Sequence, residues 1–225
     1  MKIASRREHP HGVLVEVSFD GDPTDRDIAR LCAAEQELLS NKRGFRRASW
    51  VAGRLAAAAA LEYAGAPRVA VTSNARGAPV FPPGWTGSIS HKTHIAVALV
   101  APDDGWRVGV DVEDVSPIRE RIRRKILTAA EHARIESRPD RWPAVLATFS
   151  IKESIYKALD PFVRRYVAFT EVELSPLPGD LTARRAPFAV GVEMKLTNEE
   201  GPFEAQTSCM WGPNPISTAK VRRGH

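Results

Sequence analysis

The chain has 225 residues and contains 32 Lys and Arg against 27 Asp and Glu, so its formal net charge at pH 7 is +5. Hydrophobic residues make up 43% of the chain and charged residues 26%, which excludes intrinsic disorder, a collagen-like repeat and a disulfide scaffold. The length suits one large domain or two small ones and allows a sizeable core.

In the first half, helices are predicted to come before short strands. Thr24 is a candidate N-cap, and apolar residues at helical spacing after it predict a helix that continues to Leu39. A second helix, dense in Ala and Leu, is predicted over residues 43–63. Short β-branched runs then predict strands at 69–72, 87–90, 95–100 and 106–112, with a hairpin turn at 101–105.

The second half repeats this order. Thr128 and Glu131 form a capping-box pattern, and a longer helix is predicted over residues 142–159, ended by Pro161. Alternating polar and apolar residues predict strands at 166–174, 188–196 and 203–210. The residues from Gly212 onward, rich in Pro, Gly and basic side chains, are expected to be loose.

Helices followed by strands, twice over, predict an α+β fold. We expect two similar α/β halves, at residues 1–104 and 105–225, that meet near the turn at 103–105. The two cysteines, Cys32 and Cys209, are far apart in the sequence and fit a reducing compartment. The sequence has no signal-peptide pattern and no apolar stretch long enough for a bilayer, so a cytoplasmic protein without a membrane partner is expected.

The sharpest local pattern is the segment 109–114, Gly-Val-Asp-Val-Glu-Asp. In a strand, Asp111 and Glu113 project to the same side, while Val110 and Val112 face the core. Two adjacent carboxylates repel each other, and a hard cation such as Mg²⁺ would relieve that repulsion. The alternative is a strand end with exposed acidic residues.

A second pattern is the segment 149–158, in which Glu153 and Lys157 share one helix face. Such a pair is often a simple surface ion pair. The apolar residues around it (Phe149, Ile151, Ile155 and Tyr156) favour a cleft instead.

Basic residues form a third pattern. Arg46 and Arg54 lie just over two turns apart on the predicted helix 43–63, which has no acidic residue before Arg54. Arginine suits bidentate phosphate contacts, although a solvated basic face or a nucleic-acid stripe would look the same. His91, at the end of the segment 88–91 (Ser-Ile-Ser-His), is a candidate phosphate ligand or acid, or else part of a basic surface turn.

In this order, the segments resemble the 4′-phosphopantetheinyl transferases, and among these the siderophore-synthase (enterobactin) branch of the surfactin-type enzymes. The resemblance rests on the segments 88–91, 109–113 and 149–158, supported by Arg46-Arg47 with Ala52-Gly53-Arg54 and by Asn74-Ala75-Arg76-Gly77-Ala78-Pro79. It extends from about residue 42 to residue 174.

The resemblance implies a fold and a reaction. Enzymes of this family have two α/β halves related by a pseudo-twofold axis, with the active site and coenzyme A between them. They move the phosphopantetheine arm of coenzyme A onto a serine of an apo acyl or peptidyl carrier protein and release adenosine 3′,5′-bisphosphate. Phosphoryl transfer depends mainly on positioning and charge neutralisation, which a metal and cationic side chains supply.

The resemblance also implies a role for each matching residue. Asp111, Glu113 and Glu153 would be ligands of Mg²⁺, or of Mn²⁺ in its place. Glu153 would also take the proton of the carrier serine, directly or through water, and Lys157 would bind the pyrophosphate and protonate the leaving group. Four further residues would hold the nucleotide phosphates: Arg46, Arg54, Arg76 and His91.

Carrier proteins of this family are acidic and dock after the Lys-Glu helix. The corresponding residues are Leu159, Pro161, Phe162, Val163, Arg164 and Arg165. A monomer that binds no nucleic acid is expected. Two other functions remain open at this point: a nucleic-acid-binding protein that uses the basic helix, and a metal-dependent phosphohydrolase that uses the same carboxylates with water.

Overall fold

The computed structural model describes residues 1–116, 120–197 and 199–224. The chain divides into two compact units, Met1–Val110 and Asp111–His225. Both units combine helices with antiparallel strands, so the α+β prediction is confirmed. No helix in the described part of the chain has both the length and the apolar composition needed to cross a membrane.

The first unit contains three helices and six strands. The helices are α1 (Asp25–Ile28), α2 (Ala33–Leu39) and α3 (Gly44–Tyr63). The strands are β1 (Lys2–His9), β2 (Gly12–Ser18), β3 (Thr72–Ser73), β4 (Pro79–Val80), β5 (Trp85–Lys92) and β6 (Ile95–Pro102). Four of these strands form an antiparallel sheet in the order β1-β2-β6-β5, and β3 pairs with β4.

Helix α3 packs on this sheet through small residues. Ala52, Ala56 and Ala60 are fully buried in one cluster with Ala96 and Ala98 of β6. A Cβ at Gly53 would lie 2.8 Å from Cγ2 of Ile89 on β5, so glycine is needed there for the close approach of the helix. This packing explains why the helix is dense in alanine.

The second unit is built around the long helix α6 (Arg141–Val163). The other helices are α4 (Glu120–Ile126), α5 (Ala129–Glu136) and a 3-10 helix, Phe169–Glu171. The strands are β7 (Arg107–Val112), which runs across the division between the units, β8 (Val172–Leu174), β9 (Val192–Met194), β10 (Phe203–Met210) and β11 (Ile216–Arg223). A three-stranded sheet has the order β10-β11-β7, and β8 pairs with β9.

Two expectations about the chain ends are wrong. The first unit begins with the hairpin β1-β2 and not with helices, because basic side chains on the exposed β1 hide its strand pattern. The residues after Gly212 are not loose, since β11 is the middle strand of its sheet. Ser217 and Val221 of that strand have no exposed surface.

Several element boundaries also differ from the prediction. The helix expected up to Leu39 is divided into α1 and α2, and α6 continues through Pro161 to Val163. Pro161 has no N–H to donate, so one helical hydrogen bond is missing there, but the N–H of Arg164 still donates to the carbonyl of Asp160. The expected strands 166–174 and 188–196 reduce to β8 and β9, with the 3-10 helix before β8. The capping boxes at Thr24 and Thr128 are confirmed.

Candidate functional site

Two carboxylates lie buried where β7 ends. Asp111 is 4% exposed and Glu113, directly after the strand, is 7% exposed. Val110 and Val112 are fully buried, as expected of residues that face the core. The backbone N–H of Glu113 donates to the carbonyl oxygen of Pro215 at 3.0 Å, just before β11. The alternative of exposed acidic residues is therefore wrong, because burial keeps both carboxylates away from bulk water.

Helix α6 brings a cation to this strand. The Lys157 ammonium donates to Oδ1 of Asp111 at 2.7 Å, and its side chain is about one-third exposed. Glu153, one turn earlier on α6, is half-buried. Lys157 therefore does not serve only as the ion-pair partner of Glu153 on its own helix. It neutralises a buried carboxylate on β7.

The neighbouring Lys152 anchors α6 from inside the unit. Its ammonium has no exposed surface and donates to three oxygens: Oε2 of Glu131 at 2.7 Å and the carbonyls of Ile126 and Phe169, both at 2.9 Å. Burial lowers the pKa of Lys152, and the carboxylate of Glu131 opposes that shift. The sequence pattern gave no role to Lys152, because a lysine is normally expected at the surface.

The donors near β7 suit a hard cation. Carboxylate oxygens are the protein ligands that Mg²⁺ prefers, and the ion usually takes only one or two of them, with phosphate oxygens and water completing its shell. Asp111 and Glu113 can supply two. Within residues 1–116, 120–197 and 199–224, no group of three or more His, Cys, Asp or Glu side chains is close enough to hold a metal. Glu153 as a third ligand stays a prediction.

The first unit holds a basic cluster at the start of α3. The N-cap residue of this helix is Arg43, whose side chain makes no capping hydrogen bond, and the first turn contains no acidic residue. Arg46 is exposed one turn into the helix. A helix N-terminus already has a partial positive charge, so cations there raise the energy of the free protein and favour a bound anion.

Arg54 lies two turns further along α3 and is held by the protein itself. Its guanidinium donates to the carbonyl of Thr72 at 3.2 Å and to Oγ of Ser73 at 3.0 Å, and it lies 4.7 Å from the ring centre of Trp50. Only 5% of Arg54 is exposed, and burial lowers its pKa to about 10, so it keeps its charge at neutral pH. Among the described residues, its Nε has no hydrogen-bond partner.

Two residues without a predicted role complete this cluster. The ammonium of Lys42 lies 5.2 Å from the ring centre of Trp50, which therefore contacts both Lys42 and Arg54. Burial and the positive charges of Arg46 and Arg54 lower the pKa of Lys42. Lys42 directly precedes the predicted helix 43–63, but nothing in the sequence pattern marked the tryptophan as its neighbour.

The other two predicted phosphate ligands are exposed at the surface of the first unit. Arg76 lies in the turn between β3 and β4, where Oδ1 of Asn74 accepts hydrogen bonds from the N–H groups of Arg76 and Ala78 at 2.9 and 3.0 Å. His91, near the end of β5, contacts the ring of Phe45 edge-on, with ring centres 6.1 Å apart. Phe45 immediately precedes Arg46, so the histidine lies at the start of α3.

The predicted docking segment, which covers the last turn of α6 and the two residues after it, differs from the expected apolar patch. Leu159 is fully buried, and Phe162 packs against Phe203 with ring centres 5.5 Å apart. Arg164 is exposed, whereas Arg165 forms ion pairs within its own unit. The apolar side chains of this segment therefore mostly belong to the core of the unit.

Two family models match the chain. Residues 34–101 match the model described as "4′-phosphopantetheinyl transferase N-terminal domain". Residues 107–199 match that of the "4′-phosphopantetheinyl transferase superfamily". The second match includes Asp111, Glu113, Glu153 and Lys157, and the first includes the basic residues of α3.

Curated relatives have the same description. The 4′-phosphopantetheinyl transferase Svp of Streptomyces mobaraensis is 30% identical over 78% of this chain and 73% of its own length. Npt of Nocardia iowensis, another such transferase, is 29% identical over 63% of this chain, and the match spans 64% of that relative. Enterobactin synthase component D of Salmonella typhi is 34% identical over 50% of this chain and 48% of its own length.

Proposed function

Because the chain belongs to the 4′-phosphopantetheinyl transferase superfamily, as its motifs predicted, we propose that it transfers phosphopantetheine from coenzyme A to a serine of an apo acyl or peptidyl carrier protein. Adenosine 3′,5′-bisphosphate is the second product. The observation that gives this proposal most support is the ion pair between the buried Asp111 of β7 and Lys157 of α6.

The proposal assigns coenzyme A phosphates to the basic cluster of α3. A helix of 20 residues that begins without a capping side chain and with cations in its first turns is stabilised when an anion binds there. Arg46 and His91 would contact the 3′-phosphate, while Arg54 and Arg76 would complete the phosphate contacts. Trp50 and the backbone of β3 hold the guanidinium of Arg54 in place.

Asp111 and Glu113 would hold Mg²⁺ or Mn²⁺, with Glu153 as the third carboxylate. The ion, when bound, supplies positive charge that offsets the charge developing on the pyrophosphate. The two buried carboxylates fit it, because their mutual repulsion is relieved by a cation. In its absence, the ammonium of Lys157 relieves part of the same repulsion.

Glu153 and Lys157 would move the protons. Glu153 takes the proton from the carrier serine, directly or through a water molecule, as the serine oxygen forms a bond to the phosphorus that bears the pantetheine arm. The bond from that phosphorus to the bridging oxygen breaks, and Lys157 donates a proton to this oxygen as it leaves with adenosine 3′,5′-bisphosphate. The nucleophile belongs to the partner, so no Ser-His-Asp arrangement is needed in this chain.

The proposal includes the setting of the reaction. The carrier is a transient, acidic partner, and the enzyme is a cytoplasmic monomer that needs neither nucleic acid nor a membrane. Both cysteines are free, and the proposed mechanism assigns no role to either thiol. Burial raises the pKa of Cys209 to about 11.

Mass spectrometry of the carrier tests the proposed reaction. The protein is incubated with coenzyme A, Mg²⁺ and apo carrier proteins of several kinds, and one phosphopantetheine is expected on the serine of at least one of them. Failure to modify any acyl or peptidyl carrier would refute the proposal. Consumption of coenzyme A without a carrier would favour a phosphohydrolase, and salt-dependent binding of DNA or RNA would favour the nucleic-acid function.

A matched set of variants tests the residue roles. Asp111→Asn and Glu153→Gln are expected to abolish transfer, while Glu193→Gln, an exposed carboxylate on β9, is expected to leave it unchanged. Circular dichroism of each variant checks the fold. Transfer at the wild-type rate by a folded Asp111→Asn variant would contradict the metal assignment.

A further inference from the structure

A buried carboxylate on α2 has no role in the reaction described so far. Glu35 is the third residue of this helix, and only 3% of it is exposed. A charge removed from water destabilises the fold unless hydrogen bonds satisfy it. Both oxygens of Glu35 are satisfied by the backbone: Oε2 accepts from the N–H of Cys32 at 2.9 Å, and Oε1 accepts from the N–H of Val71 at 3.0 Å. The carboxylate therefore joins α2 to a residue 36 positions further along the chain.

The two hydrogen bonds have different effects. The bond from Cys32 closes the first turn of α2, because a glutamate at the third position of a helix commonly accepts from the N–H of the N-cap residue. The bond from Val71 fixes the chain immediately before β3, which has only two residues and pairs with β4. So short a strand gains little stability from its own ladder, so its position depends on bonds to other elements.

Arg54 of α3 bonds to this strand directly. Its Nη2 donates to the carbonyl of Thr72 and to Oγ of Ser73, the two residues of β3. The charges of Glu35 and Arg54 also interact, since burial lowers the pKa of Arg54 and the negative charge of Glu35 opposes that shift. Glu35 thus favours the charged form of Arg54 and fixes the strand to which the guanidinium is bonded.

The turn after β3 contains a second predicted phosphate ligand, Arg76. The N–H of Asn74 donates to the carbonyl of Ala78 at 2.9 Å, and the carbonyl of Asn74 accepts from the N–H of Gly77 at 2.9 Å. Together with the bond from the N–H of Arg76 to Oδ1 of Asn74, these bonds fix the backbone of Arg76 relative to the end of β3. A displacement of β3 would therefore move this turn and the oxygens bonded to Arg54 together.

We propose that Glu35 is a positioning residue for coenzyme A, which acts through its bond to Val71 to place Arg54 and Arg76. This rests on the proposed function, in which these two arginines bind phosphates of the nucleotide. Placement matters for them because the planar guanidinium has its donors in a fixed arrangement that must match the phosphate oxygens. A glutamate that only closed the first turn of α2 would affect stability and leave the binding of coenzyme A unchanged.

Glu35→Gln tests this role. The change keeps the shape of the side chain, removes its charge and leaves one of the two backbone N–H groups without an acceptor. The KM for coenzyme A is expected to rise about tenfold, and so is the Kd of adenosine 3′,5′-bisphosphate measured by calorimetry. The KM for the carrier protein and the kcat at saturating coenzyme A should not change, because the reacting groups are untouched.

Asp27→Asn is the matched control. Asp27 is likewise a buried carboxylate at the third position of a helix in the first unit, and it accepts from the N–H of Thr24 at 3.0 Å. Its other oxygen bonds to the N-terminal ammonium of Met1 at 3.1 Å, and not to a residue beside β3. This variant should have a lower Tm and the wild-type KM for coenzyme A.

Equal effects of Glu35→Gln and Asp27→Asn on the KM for coenzyme A would overturn the positioning role and leave the transferase assignment intact. Absence of transfer by the wild-type protein to every carrier tested would overturn both.

Ser73→Ala is a second test, which decides the question even if Glu35→Gln does not fold. Ser73 is exposed, so this variant is expected to fold normally, but Arg54 loses one of its two bonds to β3. The KM for coenzyme A should rise by about two- to tenfold, the effect of one lost hydrogen bond. A wild-type KM would show that binding does not depend on the bonds between β3 and Arg54, and the proposal would be wrong.

Discussion

Lys152 and Glu131 form an ion pair inside the second unit, with 2.7 Å between Nζ and Oε2 and with 0% and 3% of their side chains exposed. Both groups use their remaining hydrogen-bonding capacity on the backbone. Glu131 accepts from the N–H groups of Thr128 and Leu174, both at 2.8 Å, and Lys152 reaches the carbonyls of Ile126 and Phe169. The pair thus fixes α6, and Glu153 on it, against several other segments.

Removing one partner of this ion pair is expected to lower the stability of the protein substantially. Lys152→Met should lower the free energy of unfolding by about 3–5 kcal/mol, because Glu131 is left buried without its cation. Urea denaturation measures the change. The double variant Lys152→Met with Glu131→Gln should be more stable than Lys152→Met alone, since its buried group is neutral. Equal stability of the two variants would contradict this account.

The ion pair between Lys157 and Asp111 predicts competition with the metal. At the proposed metal site, Mg²⁺ and the ammonium of Lys157 would compete for the negative charge of Asp111. Without coenzyme A, Lys157→Met is therefore expected to bind Mg²⁺ about tenfold more tightly, a difference of about 1.4 kcal/mol. Titration followed by the Tm measures this.

Lys195→Met is the control for that experiment, because Lys195 pairs with Glu173 at 3.0 Å on a more exposed surface. It should bind Mg²⁺ as the wild-type protein does. The prediction fails if chelation of Mg²⁺ lowers the Tm of the Lys157→Met and Lys195→Met variants equally.

Alanine variants of Arg46 and Arg54 are expected to differ in their effect on stability. Both are expected to weaken the binding of a nucleotide phosphate. Arg54→Ala should lower the free energy of unfolding by about 1.5–3 kcal/mol, because the carbonyl of Thr72 and Oγ of Ser73 lose the hydrogen bonds that the guanidinium donates. Arg46→Ala, at an exposed position, should stay within about 0.5 kcal/mol of the wild type. Calorimetry should find weaker binding of adenosine 3′,5′-bisphosphate to both. Unchanged binding by Arg46→Ala would remove Arg46 from the phosphate site.

His9 makes the first unit sensitive to acid. Burial, with a smaller effect of Arg7, lowers the pKa of His9 from 6.5 to about 4, and its Nδ1 accepts a hydrogen bond from the N–H of His11. Between these two pH values, the unfolded chain binds more protons than the folded chain. The free energy of unfolding should therefore fall as the pH is lowered from about 6.5 towards 4.

Chemical denaturation at several pH values measures this effect. His9→Asn should reduce the loss of stability in that range, whereas His94→Asn, at an exposed position, should not. A wild-type protein with constant stability across the range would exclude the role of His9.

The sequence predicts α3 and the second capping box well because their signals are local. Helix periodicity, an alanine-rich face and a Thr-x-x-Glu pattern act over a few residues, and the structure agrees. The short patterns at Asp111 and Glu153 likewise indicate the family, and the match of residues 107–199 to its model agrees.

What the sequence could not predict depends on distant neighbours. β11 contains Ser217 and Thr218, polar residues that normally lie at the surface, and it is buried because strands and a helix from elsewhere surround it. Lys152 looks like a solvent-exposed lysine until Glu131, 21 positions away, is brought beside it. The left-handed backbone of Arg164, with φ 55° at the end of α6, has no local signal, because helices that end in this conformation usually have glycine there.

The position of β11 has a consequence for the order of synthesis. β11 lies beside β7, and Asn214, just before it, is 101 positions from Glu113, to whose carbonyl it donates. On the ribosome, the sheet of the first unit is complete long before β11 has been made. A chain stalled in between would combine a folded first unit with an unpaired, apolar β7, which chaperones and proteases recognise.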